Sequence, residues 1–471
     1  MASFAHDVLA APAHAVSSKG QHGGSDFVLR RIDGCHDLLA LHRLNPQRYP
    51  HLLESVARGT THSRYDILFA FPGDSLHISS IDELDFLSAL DARWKDERIP
   101  REETCELPFR GGWFLYLGYE LAAQIEARLS PADGTHALPL AFATRIPAAV
   151  ICDHQLQHTW LVAETSAQAA LDSMARDLSV AQTGVTPLTP LTPCRLDEDP
   201  AEHYVQAVRR IKQYILDGDV FQVNLSRLWQ GTLSGDNAYM DLYDSLRRHN
   251  PAPFAGLATW QDTAIVCSSP ERLLQVRGDY LETRPIAGTR PRGIERQQDV
   301  DYSRELLAHP KERAEHIMLI DLERNDLGRV CIPGSVEVNE LMSLESYAHV
   351  HHIVSNVRGR KSREVTPGQV IRAVFPGGTI TGCPKVRCME IIAELEEAVR
   401  GPYTGSFGYL NRDGDMDLNI LIRTVVSEGS RFWLRAGAGI VADSEPAAEL
   451  AETRAKARGM LLSLGMDGEG V

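Results

Sequence analysis

The sequence predicts an α+β fold in which large antiparallel β-sheets are flanked by helices. Segments with apolar residues at helical spacing and short segments of strand-like composition occur throughout the 471 residues. They do not follow the regular β-α-β order that parallel sheets require. The composition, 43% hydrophobic and 24% charged, is ordinary for a soluble protein with a large core.

The first region, residues 1–180, is predicted to mix strands and helices. YDILFAF (65–71) and GGWFLYLGYE (111–120) are typical of strands, whereas ISSIDELDFLSALDARW (78–94) is typical of a helix. The stretch AQTGVTPLTPLTPCRLDEDP (181–200) follows, and its Thr-Pro steps remove backbone donors. We therefore predict an irregular linker over 181–200.

The second region, residues 201–465, is predicted to carry the chemistry. A helix is predicted over 201–220, because apolar residues recur at helical spacing and a Gly lies near its end, and a strand over 221–231. Further strands are predicted at 263–269, 280–286, 418–427 and 431–441, and further helices at 309–327, 385–397 and 446–464.

The net charge of −15 argues against a nucleic acid partner, because neutralising phosphates would need a basic face. No segment is typical of a signal peptide or a membrane span. Eight cysteines are scattered along the chain, with no CxxC pair and no zinc-like spacing. We expect a reduced cytoplasmic protein without membrane contact. A small anionic substrate is compatible with the charge if local cations hold it.

Two helical segments each present a pair of glutamates three residues apart, Glu312 with Glu315 and Glu449 with Glu452. Such carboxylates suit Mg²⁺, which binds oxygen ligands. The alternative is a pair of solvated helix faces, which ExxE often marks. Lys456, one turn beyond Glu452, has the similar alternative of a surface ion pair.

Three glycine-containing segments could hold an anion through backbone N–H groups. They are TRPIAGTRPRG, FPGGTITGCPK before a predicted helix near Lys385, and RAGAGIV with Gly437, Ala438 and Gly439. The alternative in each case is an ordinary turn or strand end. Arg423 lies in the apolar segment LNILIRTVVS, where a buried guanidinium needs an anionic partner, and Tyr403 is a candidate second donor.

Histidines and one glutamate are further candidates. His349, His351 and His352 resemble a metal site, but strand alternation sends neighbours to opposite faces, so one functional histidine is favoured. Glu271 follows a Ser-Ser-Pro turn and would be a proton donor if buried; the local alternative is an exposed turn glutamate. No GxSxG, Walker or dinucleotide-binding motif supports a hydrolase, kinase or dehydrogenase.

These segments, in this order, resemble the chorismate-utilising enzymes: anthranilate synthase component I, aminodeoxychorismate synthase component I, isochorismate synthase and salicylate synthase. The resemblance is dense from about residue 200 to 460, through DVFQVNLSR, SSPERL, TRPIAGTRPRG, AEHIMLIDLERNDLGRV, HHIVSNVRG, GGTITGCPKVRCMEII, GPYTGSFGYL, GAGIVADSEP and ETRAKA. It is looser before that, through LLES and GGWFLYLGYE. It implies an anthranilate synthase component I-like fold.

The resemblance also implies roles for the candidate residues. Glu315 and Glu452 would bind Mg²⁺, with Glu312 and Glu449 in support, and the metal would hold the ring carboxylate of chorismate. Glu271 would protonate the departing hydroxyl. The remaining implied contacts with chorismate are Gly437, Ala438, Gly439, Thr379 and Lys456 at the ring carboxylate, Tyr403 and Arg423 at the enolpyruvyl carboxylate, and His352 and Thr289 at the ring.

Two positions bear on the nucleophile. Gln222 stands where the water-adding relatives carry a lysine base, so the chain resembles an ammonia user. Many aminodeoxychorismate synthases carry, at the position of Ala287, a lysine that attacks the ring. The alanine of this chain resembles anthranilate synthases at that position. Ammonia would then displace the C4 hydroxyl without an enzyme-bound adduct, or another nucleophile would take that role.

Among the ammonia users, NPAPF, YDILFAFPG, TITGCPK and GSFGYLN favour the aminodeoxychorismate synthases, chorismate aminotransferases of the transaminase class that feed para-aminobenzoate and folate synthesis. The alternatives are an anthranilate synthase component I of tryptophan biosynthesis and a catalytically silent tryptophan-binding subunit. The chain has no GxCxGxQ glutaminase motif, so glutamine-derived ammonia would require a separate amidotransferase subunit.

The N-terminal region resembles the tryptophan-binding part of anthranilate synthases through LLES. Phe254 and Ala255 replace the Tyr-Met of the feedback-sensitive pattern, so tryptophan binding is expected more firmly than feedback inhibition. The residues of this candidate tryptophan site are Leu53, Glu54, Ser55, Asn250 and Pro251.

Overall fold

Two antiparallel sheets organise the chain in its computed structural model. The structure describes residues 26–57, 64–129, 138–183, 191, 193–235, 238–292, 295–346 and 350–466. The strands are β1 Phe27–Asp33, β2 His51–Glu54, β3 Tyr65–Ala70, β4 Ser75–Ile78, β5 Gly112–Leu117, β6 Ala141–Ile146, β7 Ala148–Asp153, β8 His158–Glu164, β9 Pro193–Glu198, β10 Gln222–Leu233, β11 Phe254–Trp260, β12 Thr263–Ser269, β13 Arg272–Arg277, β14 Tyr280–Thr283, β15 Ile286–Pro291, β16 Glu337–Ser346, β17 Val350–Arg360, β18 Gly382–Cys383, β19 Ser406–Asn411, β20 Met416–Asn419, β21 Thr424–Glu428 and β22 Arg431–Ile440.

Helices cover the outer faces of the sheets. They are α1 Leu38–Leu44, α2 Phe86–Glu97, α3 Ala122–Ile125, α4 Ala170–Thr183, α5 Ala201–Leu216, α6 Ala238–His249, α7 Arg296–Ala308, α8 Pro310–Gly328, α9 Pro367–Val374, α10 Lys385–Leu395 and α11 Pro446–Ser463. The predicted helices over 201–220, 309–327, 385–397 and 446–464 correspond to α5, α8, α10 and α11. Within the described residues, no helix has the length and apolar character needed to cross a bilayer.

The strand order gives two large sheets. Sheet 1 has twelve strands in the order β1-β8-β7-β3-β2-β11-β12-β21-β22-β10-β18, with β9 also paired to β10. Sheet 2 has ten strands in the order β15-β17-β14-β13-β20-β19-β5-β6-β4, with β16 also paired to β17. The predicted α+β class with large antiparallel sheets is therefore confirmed.

The sheets pack face to face around an aromatic core. Phe69 of sheet 1 and Phe114 of sheet 2 have ring centroids 5.3 Å apart, and Phe407 of sheet 2 lies in the same cluster. A second apolar cluster joins the outer face of sheet 1 to α1, α4, α6 and α11, and a third joins sheet 2 to α2, α8 and α9. Burial of these faces drives the assembly of the layers.

The two predicted regions share both sheets. Strand β2 pairs with β11, and β5 pairs with β19, so each sheet contains strands from before and after residues 181–200. The prediction of an irregular linker over residues 181–200 is wrong at both ends, because α4 extends to Thr183 and β9 begins at Pro193. Proline is tolerated there, since it is the first residue of a strand at a sheet edge. Residues 184–190 lie outside the described residues.

The single strand predicted over 418–427 is also wrong. Strand β20 belongs to sheet 2 and β21 to sheet 1, so the chain crosses between the sheets after Asn419. Arg423, just before β21, has a φ of 54°, a conformation that side chains other than Gly seldom adopt. Arg423 therefore lies outside the hydrogen-bonded strands. The apolar pattern of the segment had predicted it to lie within a strand.

Candidate active site

Strand β22 forms the floor of the site. Gly437, Ala438 and Gly439 pair with β10 in a regular antiparallel register. A Cβ atom on Gly439 would lie 2.2 Å from Gln222 Nε2, and one on Gly437 would lie 2.8 Å from Tyr403 Oη. The glycines therefore let two polar side chains approach the strand backbone closely.

Several buried polar atoms above this floor have no hydrogen-bond partner among the described residues. They include Gln222 Oε1 and Asn224 Oδ1. Asn224 Oδ1 lies 2.9 Å from the position of a Cβ on Gly437. Because buried polar groups are nearly always paired in folded proteins, these atoms indicate a polar ligand. Asn224 was missed in the sequence, where it looks like an ordinary strand residue.

Helix α8 brings glutamates to one side of the floor. Gln222 Nε2 donates to Glu315 Oε1 over 2.8 Å, and Glu315 is half-buried. One turn earlier, Glu312 accepts from Arg290 Nη1 over 3.2 Å. Helix α8 packs on β15 and β17, which fixes this face of the helix against the site.

Helix α11 brings its own pair to the other side. Lys456 Nζ lies 2.8 Å from Glu452 Oε1 and donates to the carbonyl oxygen of Gly437 over 3.0 Å. Burial chiefly, and then the charges of Glu449 and Glu452, raise the pKa of Tyr204. Both glutamates of α11 therefore lie close enough to Tyr204 to affect its pKa, and Glu452 is joined to the floor through Lys456.

Magnesium binding by the glutamates of α8 and α11 stays a prediction, and Glu315 and Glu452 are its candidate ligands. Among the described residues, no three of the four predicted glutamates have carboxylate oxygens within 4.8 Å of one another. Glu315 and Glu452 flank the strand from different helices, and Mg²⁺ commonly takes one or two carboxylates with water and substrate oxygens. The support predicted from Glu312 and Glu449 stays a prediction; Glu312 is paired with Arg290 here.

Glu271 is a buried carboxyl, not an exposed turn residue. It is 6% exposed, and its Oε1 accepts from Thr379 Oγ1 over 2.7 Å. Burial raises the pKa of Glu271 to about 8; the Glu323 carboxylate adds to the shift, and Lys456 opposes it. Glu271 therefore holds a proton at neutral pH. Glu323, itself buried with a pKa raised to about 7 by burial, was missed because DLERND is typical of a charged helix.

Arg423 joins this group from the crossover between the sheets. Its Nη1 donates to the carbonyl oxygen of Lys456 over 2.8 Å. Burial lowers the pKa of Arg423, while Tyr403 and Glu452 oppose that shift. Burial raises the pKa of Tyr403 to about 12, so it remains a hydroxyl donor. Arg423 and Tyr403 thus supply neighbouring donors to the same space.

The histidines separate as strand alternation predicts. His351 lies 2.9 Å from Asp299 and 2.7 Å from Ser346. Burial, and then the charge of Arg423, lowers the pKa of His352 to about 4, and His352 makes a hydrogen bond with the backbone of Gly288. His352, the candidate histidine, therefore lies near Arg423 as a neutral ring, and its role stays a prediction. His349 lies outside the described residues.

Strand β15 carries the two remaining candidates. Ala287 is buried and pairs with Ile353, and the register shifts at Gly288 before Thr289 pairs with His352. The side chain of Thr289 lies outside the described part of the structure, so its predicted contact with the ring stays a prediction.

The candidate tryptophan residues lie elsewhere, at a cavity of about 380 Å³ between the sheets. Leu53, Glu54 and Ser55 line it. Asn250 and Pro251 do not; Asn250 Nδ2 donates instead to the carbonyl oxygen of Ser268 over 3.2 Å. The tryptophan segment and the glycine-floored site are therefore separate places in the fold.

The fold and this site combine glycine-lined backbone, buried cationic and polar side chains, and a buried, protonated carboxyl. The family of chorismate binding enzymes matches this chain over residues 51–462, and the chain belongs to that family. It is thus an enzyme acting on chorismate.

Relatives within the family have different products in their names. The chain is 42% identical over 382 residues to aminodeoxychorismate synthase component 1 of Bacillus subtilis, covering 79% of this chain and 81% of the relative. It is 38% identical over 459 residues to anthranilate synthase component 1 of Pseudomonas putida, covering 90% of this chain and 92% of the relative.

A solved structure agrees with the fold. The crystal structure of anthranilate synthase component I from Streptococcus pneumoniae superimposes with a TM-score of 0.74 at 30% sequence identity, covering 85% of this chain and 93% of that chain. The predicted anthranilate synthase component I-like fold is confirmed.

Proposed function

We propose that the chain is the large subunit of an aminodeoxychorismate synthase, which converts chorismate and ammonia to 4-amino-4-deoxychorismate for para-aminobenzoate and folate synthesis. The observation that carries this proposal is that one site combines a protonated Glu271 with a neutral Gln222; the two side chains have separate hydrogen-bond partners. The site has an acid for the leaving hydroxyl, but its Gln222 position has no base to activate water.

Chorismate would be held by its two carboxylates. The ring carboxylate lies over Gly437–Gly439, close to Lys456 and Thr379. The enolpyruvyl carboxylate meets the donors of Tyr403 and Arg423, whose forked guanidinium suits it. Neutral His352 packs against the ring. This orientation aims the ring hydroxyl at Glu271.

A magnesium ion bound through Glu315 and Glu452 would supply the positive charge that balances the ring carboxylate next to these glutamates. Gln222 acts as a positioning residue, because its amide N–H holds Glu315 at 2.8 Å. Its side-chain carbonyl oxygen has no partner among the described residues and could accept a hydrogen bond from an N–H of ammonia. Without a countercharge, the substrate carboxylate and two glutamates would repel one another.

The substitution exchanges nitrogen for oxygen on the ring. Glu271 gives its proton to the departing hydroxyl, so the C–O bond breaks and water leaves. The nitrogen of ammonia forms the new C–N bond, and one of its protons returns to the Glu271 carboxylate. Ala287 offers no amine, which favours direct use of ammonia over an enzyme-bound adduct.

The preference for aminodeoxychorismate over anthranilate has support from two sources. The segments NPAPF, TITGCPK and GSFGYLN resemble aminodeoxychorismate synthases. A relative of that name matches at 42% identity. The reaction is an amination of the transaminase class, and it stops before pyruvate is eliminated.

We also propose that ammonia comes from a separate glutamine amidotransferase subunit in the cytoplasm. The name "component 1" of the relatives implies a partner. The cysteines recorded by the structure are all free thiols, as in a reducing compartment.

Product identification tests the proposal. The purified chain is incubated with chorismate, Mg²⁺ and ammonium, and the products are separated and weighed by mass spectrometry. We expect 4-amino-4-deoxychorismate, which keeps the enolpyruvyl group, and its loss in Glu271→Gln. Fluorescent anthranilate formed without an added lyase would assign the chain to anthranilate synthesis, and unreacted chorismate would support the silent-subunit alternative.

Tryptophan binding at the cavity between the sheets remains a proposal of its own. The cavity, lined by Leu53, Glu54 and Ser55, is large enough for an aromatic amino acid. We expect tryptophan to raise the melting temperature of the chain, and Ser55→Trp to remove that effect by filling the space. An equal rise in the variant would place tryptophan elsewhere.

A further inference from the structure

Sulfur and nitrogen ligand atoms meet at one end of sheet 1. Cys35 lies between β1 and α1, Cys152 lies in β7, and His154 follows β7. Their two Sγ atoms and an imidazole nitrogen lie within 4.8 Å of one another. Within the described residues, this is the one group of three such ligands, and the proposed amination does not use it.

The imidazole of His154 is oriented by a carboxylate. Its Nε2 lies 2.5 Å from Asp66 Oδ2, and its Nδ1 lies 3.9 Å from Cys152 Sγ. An Nε2–H that donates to Asp66 leaves the lone pair of Nδ1 directed towards the thiols. A carboxylate that fixes the tautomer in this way typically accompanies a histidine that ligates a metal.

We propose that Cys35, Cys152 and His154 bind a thiophilic divalent cation of the zinc type, with water as the fourth ligand. Two thiolates and one imidazole favour such an ion over Mg²⁺, which prefers oxygen. Ligand atoms about 2.1–2.3 Å from a tetrahedral ion are roughly 3.5–3.8 Å apart. Side-chain movements of about 1 Å would therefore bring the three ligand atoms to the distances that an ion requires.

The cluster is buried on one side only, so an ion could enter from solvent and then be held. Cys35 and His154 are half-buried, so one side of the cluster reaches solvent, while Cys152 and Asp66 are buried. The ligands come from the end of β1 and the end of β7, and Asp66 lies in β3 between β2 and β7. An ion there would tie these elements together.

The site has a direct connection to the cavity between the sheets. Asp66 Oδ1 accepts from the backbone N–H of Ser55 over 2.9 Å, and Ser55 lines the cavity. A metal that holds His154 also holds Asp66, and through it the backbone of Ser55. Occupancy should therefore stiffen the cavity wall, whichever product the chain makes.

Metal binding by the reduced full-length chain tests this inference. The chain is stripped with a chelator and titrated with Co²⁺ or Zn²⁺. Bound metal is counted by mass spectrometry, and thiolate ligation is read from the sulfur-to-cobalt absorption in the near ultraviolet. We expect one equivalent of thiolate-bound metal, seen as the absorption band, when Mg²⁺ is present in excess to occupy the oxygen ligands, and a higher melting temperature with zinc.

Variants assign the ligands. Cys35→Ser, Cys152→Ser and His154→Ala should each lose the cobalt band, and Asp66→Asn should weaken binding by about 10–100-fold. Cys105→Ser, a half-buried cysteine outside the cluster, is the matched control and should bind normally. Circular dichroism checks that each variant folds. Because these readouts do not depend on turnover, they stand apart from the test of the amination.

Three outcomes would overturn the inference. The reduced chain binds no stoichiometric cobalt or zinc; Cys35→Ser and Cys152→Ser bind as well as the unchanged chain; or peptide mapping finds a Cys35–Cys152 disulfide that persists in the presence of zinc and a mild reductant.

Discussion

At the scale of single residues, burial decides the chemistry of Glu271. The same carboxyl in water would be ionised at neutral pH, and here burial raises its pKa to about 8. The hydroxyl of Thr379 holds it in one orientation. A proton donor is thereby held in one orientation at neutral pH.

Chorismate consumption should depend on that proton. Raising the pH through about 8 ionises Glu271, so kcat should fall on the alkaline side with the slope of one proton. Glu271→Gln should lower kcat by about 10²–10⁴-fold and abolish this limb, because the amide cannot donate in the same way. Steady-state rates between pH 6 and about 9.5 measure both effects.

A matched control is Glu337→Gln, an exposed glutamate on β16 whose loss should leave the profile unchanged. An alkaline limb that persists in Glu271→Gln would assign the titration to another group.

The sequence predicted the identities of the site residues better than their surroundings. Glu271, Glu315 and Glu452 were named through family resemblance, since ExxE and a turn glutamate are locally uninformative. Asn224 and Glu323 were missed, because unpaired or protonated polar groups are properties of burial, which one sequence does not state. The cluster of Cys35 and Cys152 was missed for a related reason: strand pairing joins them, and their spacing in the chain does not.

At the scale of elements, the glycines of β22 position the site, because they leave room for neighbouring side chains beside the strand backbone. A methyl group on Gly439 would lie 2.2 Å from Gln222 Nε2, which donates to Glu315. Gly439→Ala should displace that amide and lower kcat/KM by roughly 10²-fold, since misplacement of about 1 Å has effects of this size. Steady-state kinetics measure it.

The control for this substitution is Gly328→Ala at the end of α8, where a Cβ meets open space. It should keep full activity. Normal turnover in Gly439→Ala would show that the contact between the strand and Gln222 does not position Glu315.

The join between β10, β22 and α10 depends on a buried charge group. Glu396 lies 2.6 Å from Arg400 and 3.2 Å from Arg435, and all three are less than a twentieth exposed. Burial alone would raise the pKa of Glu396, but the two arginines hold it below its ordinary value. Arg400 also donates to the carbonyl oxygen of Asn224, which links this group to the site.

Glu396→Gln should therefore destabilise the chain by about 3–5 kcal/mol, because it leaves two buried guanidinium groups without a countercharge. Chemical denaturation measures the free energy of unfolding. Glu428→Gln, which removes an exposed ion pair with Arg431, should change it by less than about 1 kcal/mol. Equal effects of the two variants would contradict this account of the join.

Long helices were predicted well and sheet membership was not. Helix α5 follows from apolar spacing over several turns, and helices α8 and α11 were also predicted at nearly their observed bounds. The segment 418–427 reads as one apolar strand, yet its halves enter different sheets. An apolar run states that a segment is buried, and it does not state against which layer.

At the scale of the whole molecule, the two sheets are shared by both halves of the chain. Strand β11 depends on β2, and β19 depends on β5. Residues 191–466 expressed alone should therefore aggregate, because β11 and β19 lose a neighbouring strand and expose unpaired backbone edges. Sedimentation and circular dichroism measure this, and a stable monomer with cooperative unfolding would contradict it.

The proposed function requires that glutamates from α8 and α11 together hold one divalent cation that binds chorismate. Calorimetric titration of chorismate into Glu271→Gln, which binds without turnover, tests it most directly when performed with Mg²⁺ and with a chelator. We predict at least about tenfold tighter binding with Mg²⁺, and loss of that gain when Glu315→Gln or Glu452→Gln is added. Equal affinity with and without Mg²⁺, or a full gain in both double variants, would contradict the account.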